Sequence, residues 1–483
     1  YPVQRWIEMT SGNHSTKGAE SNQAHALAEY AAGINLEQVP ALVRERAKHL
    51  MLDALGIALA CTQWDFARKT LAGLRELAGP GGDVPVIGHG ENLPMRDAVV
   101  MNALLIHGLD YDDTHPRGVI HATTSVLPAS LALAHRHNVS GAKLLTAYIL
   151  GMETATRLGS AAKGGFHQVG FHPTGLIGAF GCTLSASSIL ELDVEAIHSA
   201  QGIALSIASG SLEFLQDGAW TKRMHPGWAG SAGITAAILA KNGFVGTRSP
   251  YEGRFGLYAS HLGPLLEQCD LSLITAGLGQ QWEVMNVAIK PLPACHFTHA
   301  CADAAALLRP QWDGSEVRRI VARVPAGVMK VVCEPLDKKR RPANAYEAQF
   351  SIPYSVATGL LHGRFTLDAL EPEAYEDPKT LALAALVECE PDPEAEFPRY
   401  YGGSVRVELA DGRVLFHHEP VNRGAEGRPI TNADIVTKFH ENAARAVDRA
   451  HADHILNAVL GIEQDSPRNL NQLLGVAVHT HKG

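Results

Sequence analysis

Acids, hydroxyls and imidazoles crowd one short stretch of this chain, "DYDDTHPRGVIH", which holds Asp110, Asp112, Asp113, Thr114, His115 and His121. Three further segments concentrate reactive side chains in apolar or glycine-rich surroundings. "GFHPTGLIGAFG" places His172 before a proline, which can occupy the first turn of a helix. "WTKRMHPGWAG" carries Lys222, Arg223 and His225, and "KPLPACHFTHACADA" carries Lys290, His296 and His299. Any one of these segments alone reads as hydrogen-bonded core or a helix cap. Together they suit an anionic substrate whose protons move: Lys and Arg hold carboxylates, while His and Asp exchange protons near neutral pH.

Other chemistries fit less well. Gly175, Gly178 and Gly181 stand three apart inside a helical pattern, which is close packing rather than a dinucleotide fingerprint. Neither a GxxxxGK[ST] loop nor a GxSxG elbow occurs, so neither ATP use nor serine-hydrolase chemistry has support. His167 with His172, and His296 with His299, are candidate metal pairs, yet no HExxH or comparable ligand set accompanies them. The expectation is no metal and no cofactor.

The elements that position these residues are mostly helical. "AVVMNALLIH", Ala98 to His107, is apolar almost all round, as a buried helix is, and it delivers the acidic stretch. Val43, Ala47, Leu50, Ala54, Ile57 and Cys61 recur at helical spacing, and similar runs cover 127–137, 141–158, 173–190, 194–209 and 227–241. Their Ala, Gly and Ser content suits close helix packing. After Gln280 the period changes. Ile320, Ala322 and Val324 alternate with Arg319, Val321 and Arg323, and "SVRVELADGRVLFH" reads as a hairpin whose Asp411-Gly412 turn takes positive φ angles. From Thr431 a cap cluster opens a helical return that could rejoin the first bundle. The fold expected is mainly α: a flexible tail over 1–23, a large all-helical domain over 24–282 plus 426–475, and a smaller α+β lid domain over 283–425.

With 483 residues, 46% of them hydrophobic and 19% charged, the chain can bury more than one core. A net charge of −9 gives no general attraction to nucleic acid or anionic membranes, and the "KKRR" run at Lys338 to Arg341 reads as a solvated turn. Seven scattered cysteines without a CxxC pair disfavour a disulfide framework or an iron–sulfur site and suggest a reducing, cytoplasmic setting. No secretory signal is expected. The charge-free run 173–190 reads as soluble core rather than a membrane span.

At these segments the chain resembles the MmgE/PrpD family, which includes 2-methylcitrate dehydratase, cis-aconitate decarboxylase and iminodisuccinate epimerase. "LDYDDTH", "GFHPTGLIGAFG", "KRMHPGWAGSAG", "YEGRFGLY", "KPLPACHFTHACADA" and "EAQFSIPYSVA" follow the family's order from about residue 24 to 470. The resemblance implies a helical domain built from both chain ends, an inserted α+β lid, a homodimer and no metal or cofactor. It also implies that Asp110, Thr114, His121, His172, Lys222 and His299 line the active site, with Arg223, His225, Lys290 and His115 as substrate-binding candidates. One departure is His121-Ala122-Thr123 where many relatives have His-Pro-Ser, so the loop wall differs.

The implied reaction moves a proton at a carbon beside a carboxylate. Lys222 and a histidine would stabilise the developing negative charge, His121 or His172 would carry the proton, His299 would sit near the lid, and Asp110 would orient an imidazole or act as base. The leading expectation is a lyase on a small di- or tricarboxylate, either dehydratase or decarboxylase. The alternatives are an epimerase or isomerase of an amino- or iminodicarboxylate, a non-catalytic carboxylate-binding protein, and a scaffold that binds no ligand.

Overall fold

The structure is a computed structural model that describes residues 22–397 and 399–478. The expected tail over 1–23 therefore lies outside the described residues, apart from Asn22, which caps the first helix, and Gln23, which begins it. That helix, α1 (Gln23–Gly33), starts one residue before the expected domain boundary because Asn22 accepts a hydrogen bond from the His25 N–H.

Helices α2 (Ala41–Cys61), α3 (Met95–His107), α4 (Ala122–His137), α5 (Gly141–Ala161), α6 (Gly178–Ile189), α7 (Val194–Leu205) and α8 (Thr221–Lys241) form the larger body. A two-residue ladder, β1 (Val84–Pro85) with β2 (Asn92–Leu93), precedes α3. The six periodic residues picked out in α2 are all buried, and every residue of α3 from Ala98 to His107 is enclosed. The run 173–190 is buried throughout but is not one helix; it breaks at Ile177 between a single turn, Pro173–Leu176, and α6. Among the described residues no single helix is long and apolar enough to cross a membrane.

Small residues set the depth of helix packing. A Cβ on Gly227 of α8 would lie 2.5 Å from the Val100 Cα of α3, and one on Gly233 would lie 2.5 Å from the Cys182 Cβ of α6. Only glycine lets these backbones approach so closely. The close contact presses the N-terminal half of α8 against the helix that leads into the acidic stretch.

The smaller body holds α9 (His299–Leu308), α10 (Ala345–Gln349), α11 (Ile352–His362) and a four-stranded sheet ordered β4-β3-β5-β6, with β3 (Val317–Val324), β4 (Val387–Pro391), β5 (Gly403–Leu409) and β6 (Val414–Glu419). β3 pairs parallel with β4 and antiparallel with β5. Ile320, Ala322 and Val324 face its core as their alternation requires, and Val321 is covered as well. The β5–β6 turn departs from expectation. Of Asp411 and Gly412 only Gly412 has a positive φ, 91°, and Leu409 and Arg413 close a three-residue loop in place of a two-residue turn. The Asp411 carboxylate accepts from the Arg413 N–H and stabilises that longer loop.

The segment before the sheet belongs to the larger core, because Val284, Val287 and Ile289 pack there, and Thr114 and Ala288 exchange two backbone hydrogen bonds of 2.8 Å. Finally α12 (Asn432–Ala443), opened by a Thr431–Asp434 capping box, returns to α2, where Gly56 faces Phe439.

Candidate active site

The acidic stretch is a loop fixed at several points. α3 delivers it, and the Thr114–Ala288 bridge and reciprocal bonds between His115 and Ile120 hold it in place. Asp110 and Val119 both adopt positive φ, 50° and 51°. For a β-branched valine that conformation is strained and persists only where surrounding contacts enforce it, a condition common at functional sites. The strain lies two residues from His121.

Asp110 is buried and faces two ammonium groups. Lys222 Nζ on α8 lies 2.6 Å from Asp110 Oδ1, and Lys290 Nζ lies 3.1 Å from the same oxygen and 2.8 Å from the Asp110 carbonyl. Burial alone would raise this carboxyl, but the two lysines, with His121, hold it well below the ordinary carboxylate range. Two cations against one anion leave excess positive charge in an enclosed place. Each ammonium has three N–H bonds, so Lys222 retains donors after meeting Asp110.

Arg223 sits beside this group. Its Nε donates to the Gly108 carbonyl, its Cζ lies 4.2 Å from the Phe66 ring centroid, and among the described residues its buried Nη1 has no hydrogen-bond partner. The Tyr346 ring of α10 lies 5.3 Å from the same guanidinium, and its buried hydroxyl also lacks a partner among the described residues. Unpaired buried donors are costly, and a carboxylate is the group that would satisfy them.

The imidazoles form a connected set. His121 and His107 meet edge to face at 4.9 Å, His107 stacks on His172 at 5.7 Å, and His172 Nδ1 lies 3.0 Å from His225 Nδ1. Burial lowers His172 well below the usual imidazole value, with His107 and Lys222 adding to it; burial, then Lys222, brings His225 to about 4. His121 Nδ1 lies 2.7 Å from the Asp113 carbonyl and 3.3 Å from Thr114 Oγ1. A carbonyl only accepts, so the proton is on Nδ1, and among the described residues Nε2 has no hydrogen bond. Side-chain exposure is 13% for His121 and 0% for His107. His121 is the ring a ligand can reach.

Two candidates occupy supporting positions. His115 is wholly buried, donates from Nε2 to Glu283 at 2.8 Å and accepts the Gly118 N–H at Nδ1, so neither ring nitrogen is left for a substrate. Its ring braces the loop. His299 is also enclosed, with Nε2 on the Ala294 carbonyl at 3.1 Å and its ring 4.8 Å from His296. Burial, then Lys290, lowers His296 to about 3, against the opposing pull of the Arg423 backbone; His299 is lowered by burial, His296 and Lys290. His296 Nε2 in turn lies 2.9 Å from the Asn422 side-chain amide.

His107, Tyr346 and Gln349 were not marked by spacing. His107 is the one imidazole in an otherwise apolar helical run, which was its only signal. Gln349 donates to the Leu109 and Pro293 carbonyls and ties α10 to the acidic loop, while Lys222 lies 5.8 Å from the Phe350 ring. His107, Asp112 and His121 offer ligand atoms within 4.8 Å of one another, the residue types a metal ion takes. The His107 Nδ1–H already bonds Asp112 Oδ2 at 2.9 Å, and His121 Nδ1, 3.3 Å from the same oxygen, donates to the Asp113 carbonyl, so these contacts account for their closeness.

Comparisons with known proteins agree with the motif order. The MmgE/PrpD N-terminal domain matches residues 25–267 and the MmgE/PrpD C-terminal domain matches residues 292–464. The chain is 26% identical over 476 residues to the cis-aconitate decarboxylase-like protein oryM of Aspergillus oryzae, covering 95% of this chain and 97% of that protein. It is 28% identical over 457 residues to the cis-aconitate decarboxylase of Homo sapiens, covering 89% and 90%. It is 24% identical over 482 residues to the 2-methylcitrate dehydratase of Salmonella typhimurium, covering 92% and 95%. Two domain matches that together span most of the chain, in the order its own motifs run, place it in the MmgE/PrpD family.

Proposed function

We propose that this protein is a lyase that decarboxylates a small, cis-aconitate-like tricarboxylate by proton transfer at a carbon beside a carboxylate. The observation that carries the reading is the convergence of Lys222 and Lys290 on the single carboxylate of Asp110. The excess positive charge, with spare donors on Lys222 and the unpaired Nη1 of Arg223, suits a ligand with more than one carboxylate. His121 Nε2 is the proton carrier, and His172 beside His225 is the second imidazole.

In the reaction the C–C bond to the leaving carboxyl breaks, its electron pair stays on the carbon framework, and the proton from His121 Nε2 completes the product. Lys222 and Arg223 hold the remaining carboxylates and stabilise the negative charge as it develops. Tyr346 of α10 covers Arg223 and Phe350, the residue after that helix, covers Lys222, the contact through which the smaller body would act as a lid. The relatives named for decarboxylation support this outcome, and the dehydratase relatives make water loss from a 2-methylcitrate-like acid the neighbouring one. A homodimer that works without metal or cofactor in the cytoplasm belongs to the same reading and is checked by sedimentation, elemental analysis and fractionation.

A proton NMR time course in D₂O with cis-aconitate, citrate, 2-methylcitrate and amino- and iminodicarboxylates tests it. Loss of CO₂ from the aconitate is the expected result. Water loss from 2-methylcitrate alone would replace decarboxylation by dehydration, deuterium uptake without a new product would favour an epimerase, and tight binding without solvent hydrogen uptake would favour a binding protein.

A further inference from the structure

Two of the most enclosed polar residues near the site have no part in the chemistry above. His107, the last residue of α3, has its Nδ1 2.9 Å from Asp112 Oδ2, and both side chains are buried. The same oxygen lies 3.3 Å from His121 Nδ1. A carboxylate only accepts, so His107 donates its Nδ1–H to it, while the Nδ1–H of His121, bonded to the Asp113 carbonyl, lies alongside the same carboxylate.

A self-contained structural pair explains this poorly. Burying a charged carboxylate is expensive, and replacing buried ionic groups with apolar ones often leaves a protein as stable or more so. Among the described residues His107 Nε2 and Asp112 Oδ1 also find no hydrogen-bond partner. Burial by itself would raise Asp112, yet His107 and His121 draw it well below the ordinary range, so the anion persists in the core. Burial lowers His107 to about 4, which leaves it a neutral donor. A buried anion held by one neutral imidazole and aimed at a second, accessible one has the geometry of a carboxylate that orients a catalytic histidine.

We propose that His107 and Asp112 are positioning residues for His121: Asp112, oriented by His107, keeps the His121 proton on Nδ1, directs Nε2 toward the substrate, and balances the positive charge of the ring while Nε2 carries a proton. The inference rests on the reading of His121 as the proton carrier. In the decarboxylating direction the Nε2–H bond breaks, its proton joins the carbon that has lost CO₂, and the ring returns to neutral with Nδ1–H still facing Asp112. The Asp113 carbonyl, 2.7 Å from Nδ1, reinforces the same tautomer.

The test uses full-length protein labelled with ¹⁵N-histidine, with the His121 ring signals assigned by their absence in His121→Gln. In the wild type, His121 shows a protonated Nδ1 and a bare Nε2. In Asp112→Asn only the Asp113 carbonyl still holds the Nδ1 proton, so the Nε2-protonated tautomer appears as a minor form beside the Nδ1 one, and kcat falls roughly a hundredfold or more, while KM stays within roughly threefold. His107→Leu moves both readouts the same way, and His107→Gln, which can still donate to Asp112, restores most of each. Unchanged His121 signals in a cooperatively folded Asp112→Asn overturn the proposal, whatever its activity. Equal losses in His107→Leu and His107→Gln also overturn it. Should Asp112→Asn fail to fold, the His107 pair carries the test. The NMR readout needs no substrate, so failure of the decarboxylase reading stays distinguishable from failure of this one.

Discussion

Lys222 and Asp110 stand 112 residues apart in the chain and meet with Nζ 2.6 Å from Oδ1. Lys290 approaches the same oxygen from a third segment, so removing Lys222 leaves Asp110 paired. Lys222→Ala is therefore expected to fold and to lose on the order of a hundredfold or more in turnover, because a cation aimed at developing charge is gone. Steady-state kinetics beside a melting curve checks this. Near-normal turnover in folded Lys222→Ala and His121→Ala together would sink the site assignment.

His121→Gln keeps a polar side chain of similar reach but cannot carry a proton. Loss of a positioned acid or base costs about a hundred- to ten-thousandfold, so turnover should fall in that range while ligand binding survives. Thr114→Val, which removes the hydroxyl 3.3 Å from His121 Nδ1, should have a smaller effect in the same direction. A KM rise with kcat intact in His121→Gln would assign the ring to binding.

Asp113 gives a pH prediction. Burial raises its carboxyl from 3.8 to about 7, although Thr123 donates to it. The folded state thus holds this proton more tightly than the unfolded chain does. Stability from this group is fully present below pH ~4, declines by up to ~1.4 kcal/mol per pH unit as pH rises, and is lost once pH passes about 7. Asp113→Asn removes the titration, so melting curves of variant and wild type should diverge between pH 4 and 7 in the variant's favour and then run parallel. A difference that is constant from pH 4 to 8 would contradict the shift.

Packing gives a fourth prediction. Gly227→Ala would drive a methyl into the Val100 backbone of α3, and overpacking of this kind costs ~1–3 kcal/mol. Since Lys222 and His225 ride on the same helix, turnover should fall with the melting temperature. Gly73→Ala is the control: its Cβ meets nothing within 4 Å in the helix Asp65–Ala78, and it should stabilise by ~0.5–1 kcal/mol. Equal melting points for the two variants would refute the close-contact account.

Much of this protein was legible in the order of its residues. Helical periodicity located α2, α4 and α5, period-two alternation located β3 and β5, and Thr431 marked the start of α12, because side-chain direction and capping are local properties. The four reactive segments were visible as well, since charged and imidazole side chains are conspicuous in apolar surroundings. Local pattern placed the β5–β6 turn but not its three-residue form, and missed the break at Ile177, where hydrogen bonding over a few residues outweighs composition.

What sequence could not assign was the partner of each group. His115 lay among the substrate-binding candidates, but Glu283, far along the chain, and the Gly118 N–H occupy both of its nitrogens. His107 looked like the end of an apolar helix until Asp112 and His172 closed around it. Helix, strand and cap follow from neighbours within a few residues, whereas the sharing of one carboxylate by Lys222 and Lys290 depends on how glycine-lined helices pack and on the pairing of Ala288 with Thr114. Only the tertiary structure decides that, because burial and proximity fix charge and proton position, and both are set by chain segments distant in sequence.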